Sequence, residues 1–208
     1  MILFSGLILG STTTSADSMR ITALGGLNAA QLKIDPLPQN GTITPDLALT
    51  YGALFTADFI PVVKFDAGFM YKESKFSMII PVSGSSVVNS KLTYEQFFIP
   101  VTMRFEFWIF SLGGGVYYTI PFVDKITQVN SGLISSTTTS TFKEMNVKNG
   151  NFGFMGTLGL RYKFTSLPIG LMADIWYLYG MNEMSAMPAM QSIKQNDVQL
   201  LFGISLYL

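Results

Sequence analysis

Asn196-Asp197-Val198-Gln199-Leu200-Leu201-Phe202-Gly203-Ile204-Ser205-Leu206-Tyr207-Leu208 alternates in character down to the last residue. Val198, Leu200, Phe202, Ile204, Leu206 and Leu208 share one parity, and Asp197, Gln199, Leu201, Gly203, Ser205 and Tyr207 share the other. A period of two belongs to a β-strand, because successive side chains point to opposite faces. One face is wholly apolar, while the other mixes an acid, an amide and hydroxyls. Such a strand suits a boundary with lipid on one side and a polar interior on the other.

The composition fits that reading. Of 208 residues, 49% are hydrophobic and 12% charged, about half the charge of an ordinary soluble domain. No apolar run reaches the roughly 18 residues a spanning helix needs. Two architectures remain: a soluble all-β domain with a greasy surface, or a membrane β-barrel whose apolar residues are diluted by alternation. The net charge is zero and the basic residues are scattered, so nothing predicts nucleic-acid binding. The chain has no Cys and no His. Thiol chemistry and the usual zinc and haem ligands are excluded, and a His-based catalytic arrangement is impossible within it. The expectation is a non-enzyme without metal or cofactor. Gly113-Gly114-Gly115 lies inside a strand pattern, not between a strand and a helix, and is not read as a phosphate cradle.

Ile2 to Leu9 is a short apolar stretch followed by a Ser/Thr segment with Thr14-Ser15-Ala16, and the first basic residue is Arg20. This pattern is read as a secretory signal cleaved near Ala16, with a retained tail as the alternative. The expected organisation is therefore 1–18 as signal peptide or disordered tail and 19–208 as one barrel domain.

Seven further segments alternate in the same way, around 20–29, 47–59, 63–72, 97–107, 110–120, 152–164 and 169–179. With the last, they make eight strands, each long enough for the about 9–11 residues that cross a bilayer at a tilt. Three connections are tight: Ile60 to Val62, Trp108-Ile109, and Thr165 to Leu167. Four are long and polar: Asp35 to Asp46, Met78 to Ser90, Pro121 to Gly150, and Asn182 to Gln195. Short and long alternate strictly, as in bacterial outer-membrane barrels with short periplasmic turns and long extracellular loops. An even strand count then puts both termini in the periplasm. The predicted fold is all-β: an eight-stranded antiparallel up-and-down transmembrane β-barrel.

Charge on the strands concentrates on one parity: Arg20, Asp58, Lys64, Asp66, Lys72, Arg104, Glu106, Arg161, Lys163, Asp174 and Asp197. A cationic side chain on the lipid face near midplane costs about 2–4 kcal/mol, which accounts for the exclusion from the other parity. These residues are expected to form a luminal network of paired charges, since an unpaired buried charge is expensive. Met70, Met155, Met172, Leu54 and Trp176 share the luminal parity and add apolar lining. Aromatics near the strand ends are expected to form two interfacial girdles. Phe59, Phe105, Phe107, Trp108 and Phe164 lie toward the tight turns, and Tyr71, Tyr94, Tyr118, Tyr177 and Tyr179 toward the long connections.

Three motifs carry a family resemblance: Phe97 to Phe105, an apolar-Pro-apolar stretch ending in Arg104-Phe105; Ser111 to Tyr117, with its glycine run; and Phe152 to Phe164, ending in Arg161-Tyr162-Lys163-Phe164. With them, Met19 to Leu208 resembles the small outer-membrane barrels of the OmpA/OmpX kind, and within these the PorT-like outer-membrane barrel family. Gly203, Leu206 and Leu208 are similar to the C-terminal insertion signal of such barrels, although the family usually ends on an aromatic residue. The resemblance implies a bacterial outer-membrane location, contact with outer-membrane lipid and delivery by the barrel-assembly machinery.

Three functions follow as expectations. The first is a structural, adhesive or surface-interaction role, with a protein or glycan ligand at the extracellular loops. In the longest loop, Ile126 to Phe142 is rich in β-branched residues and suited to a hairpin. The second is a narrow conduit for ions or small hydrophobic molecules. The third, implied by the resemblance alone, is a barrel subunit of an envelope secretion or motility complex.

Overall fold

The structure is a computed structural model that describes residues 19–35, 42–82, 86–121, 126–131, 136–140, 150–181 and 192–208. The expected signal segment, 1–18, lies outside the described residues, as do most of the expected loop 182–195 and the centre of the loop 35–46.

Ten strands follow one another: β1 (Met19–Asp35), β2 (Thr42–Ile60), β3 (Val63–Val82), β4 (Ser86–Phe107), β5 (Phe110–Pro121), β6 (Ile126–Ser131), β7 (Ser136–Ser140), β8 (Asn151–Lys163), β9 (Ile169–Gly180) and β10 (Ser192–Tyr207). Among the described residues there is no helix. The hydrogen-bonded order is β3-β2-β1-β10-β9-β8-β5-β4, and β3 also pairs with β4. That last pairing closes an eight-stranded antiparallel up-and-down barrel, and closure removes the barrel's sheet edges. β10, the strand with which the sequence closes, is the seam. It pairs with β1 from Arg20↔Tyr207 to Asp35↔Ser192 and with β9 on its other side.

The remaining two strands form a hairpin, β6–β7, on the outer half of β4, where Thr93 opposes Thr127 and Asn89 opposes Ser131. This hairpin falls within the stretch Ile126 to Phe142. The structure corrects the expected loop at Met78 to Ser90. β3 and β4 run through it with continuous pairing to Val82↔Ser86, so only 83–85 remain outside the described strands. Ile79, Ile80, Val82, Val87 and Val88 explain the difference, because β-branched residues favour extended backbone even between serines. The outer parts of β2, β3 and β4 with β6 and β7 thus make a ledge that continues the barrel wall past the ends of β5, β8 and β9, while β1 and β10 run on together to Asp35↔Ser192.

Burial follows parity. On β8 and β9 the inward residues are buried and the outward ones mostly exposed, in strict alternation along most of each strand. Outward on β3 come Val63, Phe65, Ala67, Phe69 and Tyr71, and then Glu73. Outward on β4, Phe105 to Phe97 is uncharged, and Glu95 follows. Glu73 and Glu95 are direct cross-strand partners, so the apolar belt ends at one level on both strands. Val63–Tyr71 matches the about 9–11 residues of a tilted transmembrane strand. Like charges opposed on a sheet repel, a pairing tolerable in water but not in hydrocarbon. Lys75 relieves it, with its ammonium 2.8 Å from the Glu73 carboxylate.

Candidate functional site

Among the described residues, chemistry-bearing side chains converge in the lumen, which is built in three levels. Nearest the tight turns is an ionic cluster. The Arg104 guanidinium lies 2.6 Å from Asp66 and 3.5 Å from Asp174. Arg161 Nη2 donates to Asp174 Oδ2 at 2.6 Å, and Arg20 Nη1 donates to Glu106 Oε2 at 3.1 Å. Glu106 also lies 3.8 Å from both Arg104 and Arg161. Neutral donors complete the carboxylates: Thr56 and Thr102 donate to Asp66 at 2.6 and 3.1 Å, and Trp176 Nε1 donates to Asp174 at 3.0 Å. Three guanidinium groups meet three carboxylates, so the cluster is neutral. Its members come from β1, β3, β4, β8 and β9, which ties most of the barrel circumference together. Charge-assisted, partly bidentate contacts of this kind are the arrangement that makes burying ions tolerable.

Space for the cluster comes from glycine. A Cβ on Gly113 would meet the Arg104 side chain, and one on Gly159 would run into the Asp174 carboxylate. In an eight-stranded barrel the interior is only just wide enough for side chains, so large ions on one strand require an absent side chain on the next.

The middle level is mainly apolar, with the buried Gln199 and Thr157 as the cross-strand neighbours of Trp176. Leu24, Leu54, Met70, Phe98, Tyr117, Met155, Met172, Trp176, Leu178 and Leu201 form one buried cluster. The Phe98 ring packs against Tyr117 at 5.4 Å and Trp176 at 6.2 Å between centroids. Leu54, Met70, Met155, Met172 and Trp176, expected on the luminal parity, are all members of this cluster.

The third level, toward the ledge, is polar again. Lys72 and Asp197 form an ion pair, with both side chains 1% exposed. Gln195 Nε2 donates to Asp197 at 2.9 Å and to Ser74 at 3.3 Å, and Gln96 reaches the same serine at 3.4 Å. The Lys72 ammonium also stands 5.8 Å from the centre of the Phe98 ring, where the face of the ring is negative.

Each of the eleven charged residues expected in the lumen can now be placed. Arg20, Asp66, Arg104, Glu106, Arg161 and Asp174 form the lower cluster; Lys72 and Asp197 form the upper pair. Asp58 and Lys64 pair with each other near the tight-turn end, with Asp58 partly open to solvent. Lys163 is exposed at that rim and stands 4.5 Å over the Tyr207 ring. The cluster is therefore two separated networks and a rim, not one continuous array. Sequence reasoning did not single out Thr56, Thr102, Ser74, Gln96, Gln195 or Phe98. Their parity was the available signal: Thr56 shares it with Asp58, Ser74 with Asp66, Gln96, Phe98 and Thr102 with Arg104, and Gln195 with Asp197.

The aromatic expectation needs one correction. Tyr94 is not in a girdle: it is 4% exposed, stacks on Phe76 at 5.9 Å and donates to Gln195. It shares parity with the inward Gln96, Phe98 and Arg104, which fixes its side regardless of its residue type. The others lie on the outer surface. Phe59, Phe107 and Trp108 are the most exposed, at 83%, 74% and 82%. Phe105 lies nearby and Phe164 packs edge-on against Tyr162 at 5.2 Å. Tyr118, Tyr177 and Tyr179 are exposed toward the other end, where Tyr71 stacks on Tyr51 at 4.9 Å. Gly203 of the expected insertion signal is inward, close to Met172, while Leu206 and Leu208 face out.

No protein-family model matches the chain, and no curated protein matches it in sequence. Solved structures do resemble it. The attachment invasion locus protein Ail of Yersinia pestis, crystallised with the heparin analogue sucrose octasulfate, is 11% identical, with a TM-score of 0.45 over 91% of this chain and 99% of Ail. Neisserial surface protein A is 10% identical, with a TM-score of 0.46 over 92% and 97%. The outer membrane protein OprG of Pseudomonas aeruginosa is 16% identical, with a TM-score of 0.45 over 92% and 96%.

Proposed function

We propose that this protein is an integral outer-membrane barrel that works through its ledge and long connections, as a surface-interaction or adhesive protein, and does not conduct. The filled lumen is the observation that carries this reading. Trp176, Phe98, Tyr117, Met70, Leu54, Leu178 and Leu201 are each at most 2% exposed and form one buried cluster inside the barrel. A conduit needs a path; this interior is packed with side chains in mutual contact. The uncharged outer belt, ending at Glu73 and Glu95, supports lipid as its surroundings. On the same reading the tight turns and both termini are periplasmic, Gly203, Leu206 and Leu208 serve the barrel-assembly machinery, and the ligand is a protein or glycan. Within such barrels the three motif stretches favour the PorT-like group, and all three are barrel strands.

Membrane fractionation with electrophoresis of heated and unheated samples tests the barrel, which should migrate differently before and after boiling. Recording in planar bilayers tests the plug. The expected result is no steady conductance; a stable open pore that disappears on substituting Arg104 or Lys64 would overturn it in favour of transport.

A further inference from the structure

The ledge leaves one strand edge of unusual character. Among the described residues β7 hydrogen-bonds on one side only, to β6. Proteins ordinarily block such an edge with charge, proline or a bulge. The opposite flank of the ledge follows that rule: the outer part of β2 pairs with β3 but runs past the end of its pairing with β1 at Ala29↔Leu47, and it carries Pro45 and Asp46. β7 carries neither. It reads Ser136-Thr137-Thr138-Thr139-Ser140, and β6 beside it is also uncharged.

The β7 sequence is a palindrome. Antiparallel pairing of β7 with β7 of a second copy, centred on Thr138, sets Thr138 opposite Thr138, Thr137 opposite Thr139 and Ser136 opposite Ser140. Every residue is then opposed by one of its own type, threonine by threonine and serine by serine, with no like-charge conflict, and Thr–Thr pairs are favourable across strands. The contact is isologous, so it closes on itself as a twofold dimer.

Geometry then decides where the second copy is. The twofold axis of an antiparallel strand pair is perpendicular to the sheet. The ledge continues the barrel wall away from the membrane, so that axis lies roughly in the membrane plane and turns the second barrel upside down. Two copies in one membrane would present β7 in parallel and could not form the palindromic register.

We propose that β7 is a docking edge for β7 of a second copy of this protein in an apposed membrane, a homophilic contact made by β-augmentation. It rests on the surface-interaction reading above and names the partner. A five-residue strand is a weak contact alone, and many copies on two facing membranes supply the avidity.

The chain has no Cys, which makes the test clean. Wild-type protein is reconstituted in vesicles, and clustering is followed by light scattering. Wild-type vesicles should cluster, and Thr138→Lys vesicles should lose clustering while keeping heat-dependent migration. Thr138→Cys should give a disulfide dimer on mild oxidation after vesicles are mixed, because partners on a strand pair lie within disulfide reach. Thr165→Cys, in the tight turn between β8 and β9, should not. Three results would overturn the proposal: equal clustering by wild type and Thr138→Lys, equal cross-linking at positions 138 and 165, or cross-linking confined to single isolated vesicles. Absence of heat-dependent migration in the wild type is a separate result, which rejects the membrane-barrel reading itself.

Discussion

Gly159 on β8 faces Asp174 on β9 so closely that a Cβ at position 159 would occupy the space of the carboxylate. The two are direct cross-strand partners. Because Asp174 also receives Arg161, Arg104 and Trp176, the missing side chain at Gly159 lets the ionic cluster exist within so narrow a barrel.

Gly159→Ala should therefore displace Asp174 and lower stability by about 1–3 kcal/mol, the usual cost of overpacking. Gly156, three residues earlier, faces outward with nothing within 4 Å of its missing Cβ. Gly156→Ala should be neutral or slightly stabilising, since glycine weakens a strand. Urea titration of the folded barrel, read by tryptophan fluorescence, compares the two. Equal effects would refute the argument.

Breaking the cluster should cost more than removing a pair from it. Asp66→Asn leaves Arg104 buried beside a neutral amide and should destabilise by about 3–5 kcal/mol, as for other broken buried ion pairs. Replacing Asp66 and Arg104 together with Asn and Met should cost less than the sum of the single changes. The midpoint of heat-dependent migration, measured for both single variants and the double, gives the coupling.

Gln199 offers the opposite experiment. It is fully buried, and neither its Nε2 nor its Oε1 meets a hydrogen-bond partner among the described residues. Gln199→Leu should raise stability by about 1 kcal/mol or more, because it removes an uncompensated buried amide. A rise in the unfolding midpoint is the expected reading. A fall would mean that the amide is satisfied in the working protein.

On the outer face the sign reverses. Phe202→Arg places a cation in the middle of the apolar belt and should cost about 2–4 kcal/mol in a bilayer. The cost should shrink in detergent, where water reaches the surface. Folding yield into vesicles against micelles separates lipid exposure from packing.

Trp108 carries a backbone φ of 55°, in the left-handed region where a side chain costs about 1–2 kcal/mol. It opens the two-residue turn between β4 and β5 and is 82% exposed. Trp108→Gly should relieve the strain and stabilise the barrel in micelles, while slowing insertion into bilayers by removing an interfacial anchor. Equal effects in both media would exclude the anchoring role.

Much of this was legible in the sequence because strand periodicity is local. Residues two apart share a face whatever the rest of the chain does, so charge parity along β2, β3, β4, β8 and β9 already separated lumen from lipid. Tyr94 shows the limit of reading by residue type: aromatic character suggested an interface, whereas the parity it shares with Phe98 and Arg104 places it inside. The loop at Met78 to Ser90 shows another. Serines and a glycine suggested a loop, but Ile79, Ile80, Val87 and Val88 supplied enough extended preference to carry β3 and β4 through it.

The sequence by itself determined the strand count of the barrel, the face each strand turns inward and the ends at which the tight turns lie, since each follows from a two-residue period and from turn length. Only the tertiary structure decided which charges meet. Arg20 and Glu106 lie 86 residues apart, and Lys72 and Asp197 lie 125 apart. Their meeting depends on register accumulated across several strand pairs and on closure of β3 against β4, which no local pattern encodes. The same closure split the luminal charges into two networks around a mainly apolar middle, and left β7, outside the ring, with its far edge unpaired among the described residues.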